Sequence, residues 1–346
     1  MTTRFATTDE IRKWHELLLQ NPDGGNVFQT VEFSKVKATT GWKPHYIISG
    51  DIALVALEKN VPLLGKYWYV LKGPGVVNGA QIRKIAKSLH DFAKQNGVFA
   101  VKIEPEALKS SVKAKDLANL PVVKGESIQP SASTIIVDLN PEIDDVLASF
   151  SQRARRYIRK AANAGVEVTV EDATPEACKK FFELYSETAA GQFKIREYSY
   201  YQDFWQSLGE AGYGKFFFAH YEGRVVAGEY VTLFGQKAIY KDGGSVRNDK
   251  APGASYALQW ESIKWAKENG ATSYDFYGSP PSDRIDDKSH PFYGIGAFKL
   301  SFMKDVTDFT SALDIVVNPA KYRLWKKLVE RIVRKLSWKL KHENWY

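Results

Sequence analysis

YKDGGSVRNDKAPGASYALQWESIKWAKENGATSYDFYG at residues 240–278, followed a short loop later by GIGAFKLSF at 294–302, decides how this chain is read. A strand ending in the glycine pair Gly243-Gly244 passes through a loop into an amphipathic helix. Leu258, Ile263, Trp265 and Ala266 mark the buried side of that helix, and Asn269-Gly270 closes it with a left-handed cap. A second strand follows at Tyr274 and Phe276, and the Phe298-Lys299 pair delivers a cation just beyond it. The unit is a strand, a helix and a strand with a charged group at its outlet.

The rest of the chain sets the scale. Its 346 residues are enough for two ordinary domains or one large composite. Hydrophobic residues make up 44% and charged residues 25%, the profile of a folded chain rather than a disordered one. MTTRFATTDEIRKWHELLL at 1–19 carries an acidic pair and no apolar core segment, so it is not expected to serve as a secretory signal. No run approaches the ~18 apolar residues that span a bilayer. The single Cys178 excludes an internal disulfide and a cysteine-rich metal site; in EACKKFFELY it is expected to be a small buried filler rather than a nucleophile. A reducing, cytoplasmic setting is expected.

Charge is unevenly placed. Residues 320–346 hold nine Lys/Arg (321, 323, 326, 327, 331, 334, 335, 339 and 341) against Glu330 and Glu343, whereas the whole chain is only +8. Such concentration points to a polyanionic partner.

The two halves echo each other. Phe92-Ala93-Lys94-Gln95-Asn96-Gly97 matches Trp265-Ala266-Lys267-Glu268-Asn269-Gly270 at an offset of 173 residues. Each copy ends a helix and leads into a strand, Val98 to Glu104 in the first and Ala271 to Tyr277 in the second. Each also follows a hairpin, over 46–57 and over 216–234, the second turning at Glu222-Gly223. Two copies of one α/β unit account for this order. Between them, residues 129–133 read as a loop, 134–139 as a strand and 141–164 as one basic helix.

Several chemistries lack their parts. There is no G-x-S-x-G elbow, and the six His are scattered without a triad-like context. Neither C-x-x-C nor H-E-x-x-H occurs, and no phosphate-cradling glycine loop follows a strand. No metal and no cofactor is expected.

The 240–302 stretch closely resembles the Fem-type (FemABX) peptidyltransferases, which move amino acids from tRNA onto cell-wall precursors. The resemblance covers residues 24–322 and is strongest over 240–302. It implies an α/β (α+β) fold of two tandem GNAT-like (acyl-CoA N-acyltransferase-like) domains with a basic C-terminal helix. Their expected bounds are 1–141 on the acceptor side, 142–319 on the donor and catalytic side, and 320–346 for the helix. The Gln/Arg-x-x-Gly-x-Gly/Ala signature that seats acetyl-CoA in ordinary GNAT enzymes is not found, which counts against that donor. The heptad-rich arm that some Fem enzymes carry is not found either.

The resemblance also implies site residues. Phe298 and Lys299 match the family's Phe-Lys pair, which serves the tRNA terminus and the transition state. Phe28-Gln29-Thr30 through Lys37 and Trp42 matches its acceptor segment, with Lys37 on phosphate; Lys35 keeps the register open to a slip of two. Arg196 and Tyr200, in Ile195-Arg196-Glu197-Tyr198-Ser199-Tyr200, match a phosphate- and nucleotide-binding pair. Tyr240 matches a substrate-contacting tyrosine, and Asp242 stands where some relatives carry a second one. Glu104, in Lys102-Ile103-Glu104-Pro105, matches an acid considered as general base. The plainer readings are a surface lysine for Lys37, an ion pair with Glu197 or Asp203 for Arg196, and a carboxylate bridged to a lysine for Glu104. Asp275 is expected to be structural.

Direct aminolysis suits this residue set, because an aminoacyl-tRNA ester is already activated. The implied partners are aminoacyl-tRNA and UDP-MurNAc-pentapeptide or lipid II. Arg153, Arg155, Arg156, Arg159 and Lys160 suit RNA phosphates or a structural role. Trp325, Leu328, Val329, Ile332, Leu336 and Leu340 form an apolar stripe flanked by Lys/Arg, with Trp338 and Trp345 near the end. Residues 321–346 thus suit an anionic membrane surface, packing on the chain itself, or a tRNA contact. Two rival functions stand beside this one: transfer to an amine outside the cell wall, and a non-catalytic RNA- or membrane-binding protein on the same fold.

Overall fold

Two antiparallel hairpins seed two separate sheets in the computed structural model, which describes residues 1–246, 251–341 and 343–346 and leaves the side chains of Ser131 and Lys341 undescribed. Residues 247–250 of the deciding stretch therefore lie outside the described residues, as does the Lys341 side chain counted among the basic ones.

In the first unit, Lys43–Ser49 and Ile52–Val61 form the expected hairpin, turning at Gly50 with φ +57°. Gly65–Val70 extends it antiparallel. The helix Gly79–Gln95 then crosses over to Val98–Ile103, which pairs parallel with Gly65–Val70. Asn78 caps that helix by accepting from the Gln81 amide, and Gly97 ends it at φ +72°. Ile82, Ile85, Ala86, Leu89, Phe92 and Ala93 recur at helical spacing and are all buried against the sheet. Each large apolar side chain buried there contributes ~1.5–3 kcal/mol, and Leu89→Ala is expected to cost about 2–5 kcal/mol. The complete order is Thr3–Phe5, Lys43–Ser49, Ile52–Val61, Gly65–Val70, Val98–Ile103, Leu313–Val316 and Val122–Lys124.

The second unit repeats the sequence of events. Gly214–Tyr221 and Arg224–Phe234 form a hairpin whose turn residues Glu222 and Gly223 have φ +49° and +74°, the mirror-image turn that matches strand twist. Lys237–Ser245 follows antiparallel, the helix Ala254–Glu268 crosses over, and Ser273–Asp275 returns parallel to Lys237–Ser245. Leu258, Ile263 and Ala266 are buried as expected, with Trp265 packed beside them and Gly270 at φ +89°. Ile136–Asp138 and Glu167–Glu171 complete the two edges.

Three expectations change. The compact units are Met1–Ala132 with Asp308–Tyr346, and Ser133–Thr307, so the divisions at 141/142 and 319/320 do not hold. Pairing explains this: Ile136–Asp138 joins Ser273–Asp275, while Leu313–Val316 joins Val98–Ile103 and Val122–Lys124. Second, the basic segment is two helices, Ile143–Ser149 and Gln152–Asn163. Phe150 leaves the helix at ψ 153° to enter the core, and Ser151 caps the next helix by accepting from the Ala154 amide. Third, the last stripe splits. Trp325 is buried, 5.2 Å from the Tyr67 ring and 6.1 Å from Phe99, at the head of the π-helical turn Trp325–Val329. Beyond it Leu328, Ile332, Leu336 and Leu340 are exposed, in line with Leu324.

Candidate functional site

In the first unit, Gln29 is a backbone clamp: its Nε2 donates to the Leu71 carbonyl at 2.5 Å and its Oε1 accepts from the Val55 amide at 2.7 Å. Thr30 caps the following helix, Val31–Thr39, which presents Lys37 inward and Lys35 outward. Lys37 is only 2% exposed, so it is not a surface charge, and its Nζ lies 5.9 Å from the Trp42 ring. Lys59 reaches the same ring at 4.5 Å and donates to the Trp345 carbonyl at 2.6 Å. Trp345 and Tyr346 themselves pack on Trp42, at 5.2 and 6.4 Å. Two cations thus lie within about 6 Å of one indole ring. Lys59 escaped the sequence reading because strand alternation gives no sign that it turns toward Trp42.

Glu104 is buried, and among the described residues no lysine bridges to it. It accepts from the Tyr69 hydroxyl at 2.5 Å and from the Ile128 and Gln129 amides at 2.5 and 3.3 Å. Burial pushes its carboxyl up, against the pull of Tyr69 and the two amides. Lys102, two residues earlier, pairs instead with Asp314 at 2.8 Å. A cavity of about 20 Å³, the size of one water, lies beside Glu104 and Lys72.

In the second unit the decisive feature is a bulge. Tyr230 pairs with Asp242 but Val231 pairs with Tyr240, which leaves Lys241 as the extra residue. Tyr240 and Gly243 consequently share one face, and Asp242 turns to the other. Asp242 therefore does not continue the Tyr240 surface: it accepts from Trp205 Nε1 at 3.1 Å and pairs with Lys241 Nζ at 2.8 Å. Arg196 stacks over the Tyr200 ring at 4.3 Å. Burial pushes the Lys241 ammonium down, but the Asp242 carboxylate paired with it more than offsets this and holds it raised.

Lys299 closes the helix Tyr293–Lys299 and is 2% exposed. Its Nζ donates to the carbonyls of Tyr277, at 3.1 Å, and Gly278, at 2.8 Å, and lies 5.7 Å from the Tyr240 ring. Those carbonyls are aimed by consecutive positive φ values, +53° at Tyr277 and +97° at Gly278. Asp275 holds the turn, accepting from the Thr134 hydroxyl at 2.5 Å and the Tyr277 amide at 2.7 Å, which is the expected structural role. Burial lowers the Lys299 ammonium to about 7, with Asp275 opposing. Phe298, beside it, packs edge-on to Tyr256 at 4.9 Å.

A chamber of about 230 Å³ is lined by Tyr240, whose ring lies 5.7 Å from Lys299 Nζ, by Gly243, Gly244, Gln259 and Phe298, and by Glu229. Glu229 was missed, although an acid inside VVAGEYVTLF interrupts an otherwise apolar strand. Cys178 is a buried filler whose thiol burial pushes up to about 12. Among the described residues, no group of three or more His, Cys, Asp or Glu is arranged to hold a metal ion.

Residues 148–286 match the acetyltransferase (GNAT) domain family and residues 12–121 the FemAB family. The lipid II:glycine glycyltransferase of Staphylococcus aureus is 24% identical over 417 aligned residues, covering 95% of this chain and 98% of the relative. The crystal structure of FemX superposes with a TM-score of 0.81 at 22% identity, over 94% of this chain and 100% of that one. L-PGS from Bacillus licheniformis gives 0.57 at 17% identity, over 94% and 98%. The chain is distantly related to the Fem-type proteins and carries a GNAT-type acyltransferase fold.

Proposed function

We propose that this protein is a Fem-type aminoacyltransferase. It moves an amino acid from aminoacyl-tRNA to the stem-peptide amine of UDP-MurNAc-pentapeptide or lipid II, in cross-bridge formation. The observation that carries the reading is Lys299, a buried cation held by two backbone carbonyls beside Tyr240. The amine attacks the ester carbonyl, the new C–N bond forms, and the C–O bond to the ribose breaks without a covalent enzyme intermediate. A fixed cation at that point stabilises the oxyanion and the departing ribose oxygen. Phe298 seats the tRNA terminus; in the first unit Lys37 serves a phosphate, and in the second Arg196 serves a phosphate, Tyr200 the nucleotide or sugar, and Tyr240 the reacting groups. Glu104, whose oxygens already accept from three donors, is a positioning acid in this reading rather than the general base. The glycyltransferase relationship supports a cell-wall acceptor, and the repeated hairpin–helix–strand order supports two tandem GNAT-like domains.

The exposed line Leu324, Leu328, Ile332, Leu336 and Leu340, flanked by Lys/Arg, favours the lipid-linked acceptor, reached from a peripheral position at the inner face of the cell membrane. Asp242 keeps a second reading open, transfer to an amine outside the cell wall, because it turns away from Tyr240. Both readings are tested by following radiolabel from a mixed pool of charged tRNAs into UDP-MurNAc-pentapeptide and, in parallel, lipid II in micelles. Label in either supports the cell-wall function. Bound tRNA with no label in either acceptor overturns it in favour of another amine or a non-catalytic role.

A further inference from the structure

Glu229 is the most unusual ionisable group in the second unit. It sits in the interior strand Arg224–Phe234, is 2% exposed, and among the described residues has no Lys, Arg or His at ion-pair distance. Its Oε2 accepts from Gln259 Nε2 at 2.5 Å, while among the described residues its Oε1 has no hydrogen-bond partner. Gln259 is itself fixed, because its Oε1 accepts from the Tyr274 hydroxyl at 3.0 Å, so its amide can offer Glu229 only the NH₂ group. A buried carboxyl with an unmatched oxygen carries a desolvation cost that an apolar residue would avoid. Burial pushes this carboxyl up to about 8, which the nearby Ser262 hydroxyl offsets only in part. An ammonium partner would restore the carboxylate.

The surroundings provide room for such a partner. The residue facing Glu229 across the strand pair is Gly243, and its neighbour Gly244 faces Gly228. A Cβ on Gly243 would stand 1.8 Å from the Tyr240 hydroxyl oxygen, so the missing side chain is what lets the tyrosine ring lie across the chamber. The Lys241 bulge puts Tyr240 on the face of Glu229, and Lys299 Nζ lies 5.7 Å from that ring. About 230 Å³ of water-accessible space is room enough for a small aminoacyl group.

We propose that this chamber seats the aminoacyl group of the donor, with the Glu229 carboxylate receiving its α-ammonium. The inference rests on the aminoacyl-tRNA reading above and sharpens it. An α-ammonium separates an aminoacyl ester from an acetyl donor, and Glu229 is the group in the chamber able to recognise it. Glu229 then serves the amine end of this small ligand.

The test uses an acceptor-stem RNA hairpin ending in a 3′-amide-linked residue that cannot be transferred. Glycyl is compared with acetyl, and alanyl with propionyl, so that each pair differs in the α-ammonium alone. Calorimetry on the full chain should show tighter binding of the ammonium-bearing member by tenfold or more. Glu229→Gln should bring the ratio close to one while leaving acetyl and propionyl affinities unchanged, which also reports that the variant is folded. Equal binding of both members by the wild-type protein overturns the Glu229 assignment and leaves the donor class standing. Binding of neither overturns both. A preference that survives in Glu229→Gln overturns the assignment to this residue.

Discussion

Lys299 donates its Nζ to the Gly278 carbonyl at 2.8 Å, and among the described residues no carboxylate pairs with it at ion-pair distance. The cation is thus held by dipoles rather than by a counter-charge. Burial lowers its pKa to about 7, with Asp275 opposing.

A group that must be protonated to work should lose activity as pH rises through that value. We expect kcat/KM of the wild-type protein to fall above pH about 7, and Lys299→Arg, which cannot deprotonate in this range, to lose that limb. Lys299→Met should cost roughly 2–4 kcal/mol of transition-state stabilisation. A rate that instead climbs through pH 7 in step with Lys299 ionisation would make it a base and sink the electrostatic role.

Stability carries two opposite pH windows. The folded chain keeps the Glu229 proton up to about 8, whereas an unfolded glutamate releases it near 4.5. Stability from this group is therefore present below 4.5 and lost as pH rises to about 8. Lys299 runs the other way: between about 7 and 10.5 the unfolded chain binds a proton the folded one has released, so stability recovers as pH rises. Each slope is at most ~1.4 kcal/mol per pH unit. Denaturation curves should show Glu229→Gln flattening the lower window and Lys299→Met the upper. Unchanged slopes in both variants would remove the shifts as their cause.

The Lys102–Asp314 pair is buried on both sides, and the Tyr322 hydroxyl donates to the other Asp314 oxygen at 2.7 Å. Asp314→Ala leaves a buried lysine uncompensated and should cost about 3–5 kcal/mol in urea denaturation. Replacing both partners, as Lys102→Met with Asp314→Leu, should recover most of that loss. Equal losses in the single and double variants would mean the packing, not the charge, is what matters.

Ile332 and Leu336 lie on the exposed line of the last helix, away from the buried Trp325. Changing both to Glu should weaken co-sedimentation with phosphatidylglycerol vesicles by at least tenfold and leave the melting temperature within a degree or two, because neither side chain is buried in the fold. Undiminished vesicle binding, or none in the wild-type protein, would count against a membrane role.

Much of this arrangement was legible before the coordinates. Helical spacing identified Leu258, Ile263 and Ala266 as core, Asn-Gly pairs placed both helix ends, and Glu222-Gly223 placed the hairpin turn, because these signals are local. Non-local pairing was not legible. The strand at 136–138 read as the end of one domain because nothing local reveals that its partner is Ser273–Asp275. The apolar stripe at 325–340 read as continuous because helical periodicity cannot say which turn leaves its support, as the chain does after Trp325.

The sequence by itself determined the order of strands and helices, the caps, the concentration of basic charge and the Phe298-Lys299 pair. Those follow from backbone preferences and residue chemistry acting over a few positions. Only the tertiary structure decided that Lys299 is buried on two carbonyls, that one extra residue at Lys241 turns Asp242 away from Tyr240, and that Glu229 faces a glycine across the sheet. Register and burial are set by partners far along the chain, and ionisation in turn by burial, so neither can be read from neighbours in sequence.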